Sequence, residues 1–322
     1  MRPFFQTTAT LLVLFAGLSG VCAGEAAGAA AGKKVLYLNA YHQGYAWSDE
    51  IQKAIETKLA PTGAELKTIL MDTKNAPAGG AAKAEEAKGV IETWKPDVVI
   101  VSDDNPMKLV VKPYLKDAAT PVVFCGVNWD GSAYGLPYSN TAGMYEVALV
   151  QQLVATLRKH AKGARVGLLA GDNESSRADG AGFKKHCGVA DLQELYVPDL
   201  AGWKAGYIDL QTKVDILLVR NDGVKGWQKD EMAAFCEENA RIPTGAIQEE
   251  IRYFAFATYA KIGAEQGEWA ADAALQILTG KKPSEVGETA NKKAKIILNM
   301  RIAKRLGVMP DIALVKQAEL VK

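Results

Sequence analysis

The amino-acid sequence predicts an α/β protein made of two doubly wound lobes. From Lys33 onward, short apolar runs alternate with longer stretches of helical periodicity, a pattern that is typical of βα units and parallel sheets. The same rhythm starts again after about residue 145. The chain has 322 residues, which is enough for about two domains. We therefore expect two lobes of related architecture.

The first half contains four predicted βα units. Ser48 and Pro106 are suitable helix starts, because serine can cap an orphan amide and proline fits the first turn. The predicted strands are KVLYL (34–38), ELKTILM (65–71), DVVIV (97–101) and PVVFCGV (121–127), and the predicted helices cover about 48–59, 81–94 and 105–115.

The second half repeats the rhythm and then continues beyond it. A helix over about 148–160 opens the series, further helices lie around Ala181, Trp203 and Met232, and the predicted strands are 165–170, 192–197, 214–219 and 242–247. The trailing segments are FAFATYAKI (254–262), a helix over 265–278 that Gly280 stops, a strand over 294–300, and two short helices. We expect lobe 1 to comprise 33–145 with part of 260–292 returning, and lobe 2 to comprise 146–259 with part of 293–322.

The amino terminus predicts secretion. Arg2 precedes the apolar stretch LLVLFAGLSGV (11–21), and Val21-Cys22-Ala23 offers small residues before a cut. The sequence predicts a signal peptide over 1–23 and a flexible leader over 24–32, and thus a periplasmic protein. A retained anchor is less favoured, because the stretch is shorter than the ~20 residues that span a bilayer. Lipid attachment at Cys22 is less favoured still, because Val21 precedes it where Gly or Ala is usual.

Composition and motifs exclude several classes of function. The 38 Lys+Arg and 37 Asp+Glu give a net charge of +1 without charged blocks, so nucleic acid is not an expected partner. Cys125, Cys187 and Cys236 lack metal or redox spacing and are expected to be small buried hydrophobes, with Cys187–Cys236 as the one conceivable pair. GxSxG, HExxH and dinucleotide-binding glycine motifs are missing from the sequence. We expect no catalytic residues, no metal and no cofactor.

Polar and aromatic side chains follow the predicted strands, where helix amino termini and strand ends form crevices for polar ligand groups. The candidate ligand-binding residues of the first lobe are Asn39, Tyr41, His42, Tyr45, Trp47, Asp103, Asp104, Asn128, Trp129, Tyr145 and Glu146. Those of the second lobe are Asn173, Ser175, Ser176, Asn221, Asp222, Gln248 and Glu249.

Each candidate also has a structural interpretation. The aromatic rings suit a flat ligand, and Asp103 or Asp104 suits a ligand ammonium, but Tyr45 and Trp47 could instead fix their loop to the first helix. Asp104 and Asn105 could cap the helix behind them. Ser175 and Ser176 could present a helix amino terminus to a carboxylate, or simply cap it.

Three stretches resemble a known family: VLYLNAYHQGYAWSDEI (35–51), GEWAADAALQILTGKKPSEV (267–286) and AKIILNMRIAKRLGV (294–308). They are similar to type I periplasmic solute-binding proteins, specifically the ABC transporter substrate-binding group that includes tryptophan and tyrosine binders. The resemblance implies two Rossmann-like lobes joined by a multi-strand hinge, and a small polar ligand clamped between them.

The resemblance also implies a ligand and a partner. The favoured ligand is an amino acid or similar zwitterion, including aromatic ones, and the expected partner of the monomeric protein is an ABC permease. The opening stretch also resembles sensing domains of bacterial signalling receptors. A ligand-sensing adaptor for a membrane receptor is therefore the alternative, and a secreted enzyme is a third hypothesis that no motif supports.

Overall fold

The computed structural model describes residue 28 and residues 30–322. Its strands form two separate, mostly parallel sheets covered by helices, so the predicted fold class of two α/β lobes is confirmed. The predicted signal peptide over 1–23 lies outside the described residues. The end of the predicted flexible leader is ordered: Ala30 is buried, and the Gly32 N–H donates to the Gly63 carbonyl at 3.1 Å. These contacts attach residues 30–32 to the first lobe.

The first sheet has six strands, all paired in parallel. In spatial order they are β11 (Glu288–Ala290), β5 (Thr141–Glu146), β4 (Val122–Asn128), β3 (Val98–Ser102), β1 (Lys34–Asn39) and β2 (Glu65–Leu70). Leu36 and Leu38 pack into one apolar cluster, whereas Val35 and Tyr37 pack into another. Successive side chains of a strand point to opposite faces, so both faces of this sheet are buried beneath helices.

The second sheet has seven strands, and only the β10–β12 pair is antiparallel. In spatial order they are β13 (Glu319–Val321), β12 (Ala294–Asn299), β10 (Ala257–Lys261), β9 (Thr244–Ala246), β8 (Ile216–Val219), β6 (Val166–Gly171) and β7 (Gln193–Val197). A continuous apolar core surrounds this sheet, and Trp203 and Tyr207 are its largest fully buried side chains.

The helices in chain order are α1 (Ala46–Leu59), α2 (Gly80–Trp94), α3 (Asp104–Pro106, continued as a π-helix over Met107–Leu115), α4 (Val150–Arg158), α5 (Glu174–His186), α6 (Leu200–Leu210), α7 (Lys229–Asn239), α8 (Gly263–Leu278), α9 (Pro283–Val286), α10 (Met300–Leu306) and α11 (Ile312–Val315). Within the part of the chain that the structure describes, no helix combines the length and apolar character that crossing a bilayer requires.

The chain crosses between the two sheets at three places: from β5 to α4, from β10 to α8, and from β11 to β12. Helix α8 returns to the first lobe and packs on α1. Its Gly267 allows this close contact, because a Cβ there would lie 2.3 Å from the Ile51 carbonyl oxygen. Gln266 ties α8 to the first sheet: it accepts from the Gly126 N–H at 2.9 Å and donates to the Tyr145 carbonyl at 3.3 Å.

Three predicted helix starts differ from the structure. Helix α1 begins at Ala46, and the Ser48 hydroxyl lies inside its first turn, where it donates to the Tyr45 carbonyl. Helix α3 begins at Asp104, two residues before Pro106. Helix α5 is capped by Asn173, whose Oδ1 accepts from the Ser176 N–H at 2.8 Å, rather than by Ser175 or Ser176.

Candidate functional site

A cleft of about 480 Å³ lies between the two lobes, at the carboxyl ends of their strands. The residues that line it lie at or after the carboxyl ends of β1, β2, β3, β4 and β5 of the first sheet and of β6, β8, β9 and β10 of the second. Of the predicted ligand-binding residues, the following line this cleft: Tyr41, Tyr45, Trp47, Asp103, Asn128, Glu146, Asn173, Ser175, Asp222, Gln248 and Glu249. Parallel strands bring their carboxyl ends to one edge, which accounts for this convergence.

Two predicted residues of the first loop do not line the cleft. Asn39 is 1% exposed, and its side chain is used locally, since Oδ1 accepts from the Tyr41 N–H and Nδ2 donates to Gln52. His42 points towards Asp72, with 3.3 Å between its Nδ1 and Oδ1 of that residue. Both residues support the shape of the loop.

Asp104 and Tyr145 also lie beside the cleft without lining it. Asp104 does not cap α3, because its carboxylate accepts from the Tyr134 hydroxyl at 2.6 Å and from the Asn128 amide at 2.5 Å. Tyr145 turns outward, donates its hydroxyl to Glu288 at 2.7 Å and packs its ring near Phe124. These contacts stabilise the edge of the first lobe.

Two predicted residues of the second lobe, Ser176 and Asn221, also lie outside the cleft lining. Ser176 is fully buried in the first turn of α5. The Asn221 carbonyl accepts from the Val224 N–H at 3.0 Å in the turn after β8. Neither lines the cleft.

Trp129 occupies a place that the sequence did not predict. Although it follows a strand of the first lobe, its indole packs on α5 of the second lobe, where a Cβ on Gly182 would lie 2.3 Å from the ring. The ring stacks on His186 with centroids 5.7 Å apart, and its Nε1 donates to Asp179 at 3.2 Å. The neighbouring Asp130 pairs with Lys185 at 2.7 Å. Trp129 and Asp130 therefore form a bridge between the lobes, and Trp129 is not part of the cleft lining.

Asp103 is the central acidic residue of the first lobe's cleft edge. Its side chain is 3% exposed, and its Oδ1 accepts from Trp47 Nε1 at 3.2 Å. Its Oδ2 is buried and has no hydrogen-bond partner in residues 30–322. Burial raises the pKa of Asp103 to about 7, against the lowering effect of the Trp47 hydrogen bond. This carboxylate therefore lies at the edge of the cleft with one oxygen shielded from solvent, and, together with burial, its proximity contributes to the raised pKa of Tyr41.

Aromatic rings surround this carboxylate. Tyr41 and Tyr45 meet edge to face with centroids 5.0 Å apart. Lys74 Nζ lies 3.8 Å from the centroid of Tyr45, so the ring face already accepts one cation. Cation–π contacts of this kind are strongest when the cation is desolvated.

Lys261 is a functional candidate that the sequence analysis missed. It ends β10 at one chain crossing, and it pairs with Glu146, which ends β5 at another. Burial lowers the pKa of Lys261 to about 8, partly offset by Asp103 and Asp104. The signal that could have revealed Lys261 is a single lysine directly at the end of an apolar strand.

Arg220 was missed for the same reason, since it follows the apolar strand β8. It is 4% exposed and pairs with Asp179 and Asp222. Gln248 Nε2 also donates to Asp222, at 2.8 Å. The other lining residues that sequence reasoning did not predict are Ala46, Glu50, Lys74, Asp179, Gly223, Ile247, Glu250 and Ala260.

The lining of the cleft is acidic overall. Its carboxylates are Glu50, Asp103, Glu146, Asp179, Asp222, Glu249 and Glu250, and its cations are Lys74, Arg220 and Lys261. No group of three or more His, Cys, Asp or Glu side chains in residues 30–322 is arranged to hold a metal ion. Hydrogen-bonding groups and ring faces are thus the recognition chemistry that this cleft offers.

Two α/β lobes that enclose such a cleft and share three chain crossings define the class of two-lobed ligand-binding proteins. A family model described as ABC transporter substrate binding protein matches residues 45–322, and the chain belongs to this family. It is thus the part of an ABC system that binds a small-molecule substrate for a permease, outside the cytoplasm. A search of curated protein sequences returns no match.

Solved structures share the fold. A ligand-free, open substrate-binding protein with adhesive properties from Clostridium difficile is 17% identical, with a TM-score of 0.70 over 90% of this chain and 99% of the other. A domain from Streptococcus pneumonia in complex with L-Trp is 18% identical, with a TM-score of 0.58 over 89% and 100%. A periplasmic ribose transporter component from Conexibacter woesei is 17% identical, with a TM-score of 0.54 over 91% and 99%. These neighbours include proteins for different ligands, so the fold alone does not determine the ligand class.

Proposed function

We propose that this chain is a periplasmic solute-binding protein of an ABC-type uptake system, which closes its lobes on a small molecule that carries an ammonium group. Amino acids, including aromatic ones, are one class of molecule that carries this group. The chain does no chemistry on its ligand. Its task is to capture the molecule and present it to the permease.

The observation that carries this proposal is the buried carboxylate of Asp103. A buried charge is costly unless a partner neutralises it, and Oδ2 of Asp103 has no partner within the described residues. An ammonium group would supply both the charge and the hydrogen bonds. The rings of Tyr41, Tyr45 and Trp47 on the same side of the cleft favour a ligand with an apolar or aromatic body.

The second lobe supplies the other side of the clamp. Asn173 and Ser175 at the start of α5, and Gln248 after β9, are polar groups that could contact a ligand only when the lobes are close. A ligand shifts the balance between open and closed forms only through contacts that differ between them. The L-Trp complex of the Streptococcus pneumonia domain gives one example of such a ligand on this fold.

Identification of the bound molecule tests the proposal. The protein is purified from the periplasm without refolding, denatured, and the released small molecules are analysed by mass spectrometry. We expect a compound with a basic nitrogen. Release of a neutral sugar at a stoichiometric amount would contradict the proposed ligand class.

A further inference from the structure

We propose that the cleft prefers a singly charged organic amine without a carboxylate over the zwitterionic amino acid that has the same side chain. This inference rests on the proposed function, because it refines the ligand class of the same site. It depends on what the cleft offers to each half of an amino acid.

The ammonium half has a prepared site. Oδ2 of Asp103 is buried and unpartnered among the described residues, whereas Oδ1 is held by Trp47. The left-handed backbone of Asp103, with φ of 68°, is unusual for a residue other than glycine. Gly126 packs against this turn, since a Cβ at that position would lie 3.3 Å from the Asp103 nitrogen. The backbone therefore fixes the carboxylate at the cleft.

The carboxylate half has no comparable site, because the cations of the cleft are already used. Lys261 is paired with Glu146. Arg220 is paired with Asp179 and Asp222 through its two terminal nitrogens, so only its buried Nε lacks a partner among the described residues. A ligand carboxylate would have to compete with these fixed carboxylates, which pay no ordering cost on binding.

Lys74 is the remaining cation of the described lining, and it too has a contact. It is exposed and lies over the ring of Tyr45, with a second ring contact at 5.6 Å to the centroid of Tyr41. An exposed ion pair with this lysine would add little, since such pairs contribute about 0–1 kcal/mol. Lys74 could also move away from the ring when a ligand cation takes its place.

The amino terminus of α5 is the other feature that could attract a carboxylate. In this helix the cap is filled by Asn173, which accepts from the Ser176 N–H, and Glu174 places an acidic residue in the first turn. A helix amino terminus favours anions through its free N–H groups and its dipole. Here the chain itself supplies that negative charge.

The charge balance of the lining points the same way. Glu249 is paired with Lys295 and Arg252, which lie outside the cleft lining, and Glu250 is exposed. Neither carboxylate therefore dominates the electrostatic potential inside the cleft. The remaining acids include Asp103, Glu146, Asp179 and Asp222, against Arg220 and Lys261 in the interior. The carboxylates of the interior therefore outnumber its cations. A protonated amine reduces this excess of negative charge, whereas a zwitterion does not.

Matched ligand pairs test this inference. Isothermal titration calorimetry at pH 7.5 would compare tryptamine with tryptophan, tyramine with tyrosine and agmatine with arginine, on protein freed of bound ligand by unfolding and refolding. We expect at least one amine to bind about tenfold or more tightly than its amino acid. Tighter binding of the amino acid in every pair that shows binding would overturn the inference and leave the proposed function intact.

Two variants locate the effect. Asp103→Asn should weaken amine binding by about 100-fold, the scale for removing one partner of a buried charge pair. The control is Asp97→Asn at the opposite end of β3, where the carboxylate pairs with Lys33 at 3.1 Å, far from the cleft edge. It should leave amine affinity unchanged.

The remaining outcomes also decide the inference. An equal loss of amine affinity in Asp103→Asn and Asp97→Asn would overturn the inference, because the effect would then be structural. Absence of binding by all six probes would overturn it as well. In that case the proposed function is tested separately, by identifying the molecule that the native protein releases on denaturation.

Discussion

The two cleft edges differ in how their charges are satisfied. At the first lobe's edge, Asp103 is buried with one oxygen free of partners in the described chain, and only the Trp47 indole holds the other. At the second lobe's edge, Arg220 is surrounded by Asp179 and Asp222, and Gln248 extends the network. The charged groups of the second edge are thus paired with each other, whereas one oxygen of Asp103 has no partner among the described residues. Charge removal should therefore affect stability in opposite directions at the two edges.

The largest effect is expected at the second edge. Arg220→Ala leaves Asp179 and Asp222 without their cation, so the protein should lose about 3–5 kcal/mol of unfolding free energy, measured by urea denaturation. Arg220→Lys keeps the charge but not the forked geometry and should lose less. A loss below about 1 kcal/mol for Arg220→Ala would show that the network does not stabilise the second lobe.

The opposite result is expected at the first edge. Because burial raises the pKa of Asp103 to about 7, the folded protein releases this proton at higher pH than the unfolded chain. The stability that the neutral acid provides is present at low pH and is lost as pH rises from about 4 through 7. At pH 8, Asp103→Asn should therefore raise the unfolding free energy by on the order of 2 kcal/mol.

The measurement for Asp103→Asn is the pH dependence of urea unfolding. The variant should lack the decline that the wild type shows between about pH 4 and 7. Destabilisation at pH 8 comparable to that of Arg220→Ala would remove the proposed difference between the two edges.

A smaller effect is expected at the bridge between the lobes. Trp129→Ala removes the indole from Gly182, His186 and Asp179, and should cost about 1–3 kcal/mol of the free energy that holds the lobes together. Small-angle scattering should show a larger radius of gyration without ligand. An unchanged scattering profile would mean that the bridge does not hold the lobes together.

The smallest effect is expected at the surface of the same bridge. Lys185 pairs with Asp130 at 2.7 Å, but its side chain is 64% exposed. Lys185→Ala should change stability by less than about 1 kcal/mol and should leave the scattering profile unchanged. A change in stability and in the scattering profile as large as that of Trp129→Ala would show that the ion pair, rather than the packing of Trp129, holds the lobes together.

The fold could be predicted from sequence because its signals are local. Val98–Ser102 is a buried parallel strand and reads as an apolar run, and the return of α8 follows from the excess of elements after the second lobe. The candidate site was predictable only in part. Loops after strands brought Asp103 and Trp47 to the cleft, as the strand pattern implied.

The remaining features depend on tertiary contacts that no local pattern contains. Lys261 ends an apolar strand of the second sheet and meets Glu146 only where the two lobes join. Arg220 follows another apolar strand, and its partner Asp179 comes from helix α5 of the same lobe. Trp129 was expected at the cleft because its loop follows β4. The gap that Gly182 leaves on the opposite lobe directs it elsewhere.

The most direct test of the account is the pH dependence of ligand affinity in wild type and Asp103→Asn. Asp103 is faced by Trp47, Lys74, Asp104 and Lys261. Burial lowers the pKa of Lys261 to about 8, so the titration should stop near pH 7.5, before Lys261 loses its proton. Titration of the released native ligand between about pH 5.5 and 7.5 should show wild-type affinity rising towards tenfold per pH unit below 7, because only the ionised acid pairs with an ammonium. The variant should bind weakly with a flat profile. Parallel profiles in the two proteins would contradict the claim that Asp103 receives the ligand's charge.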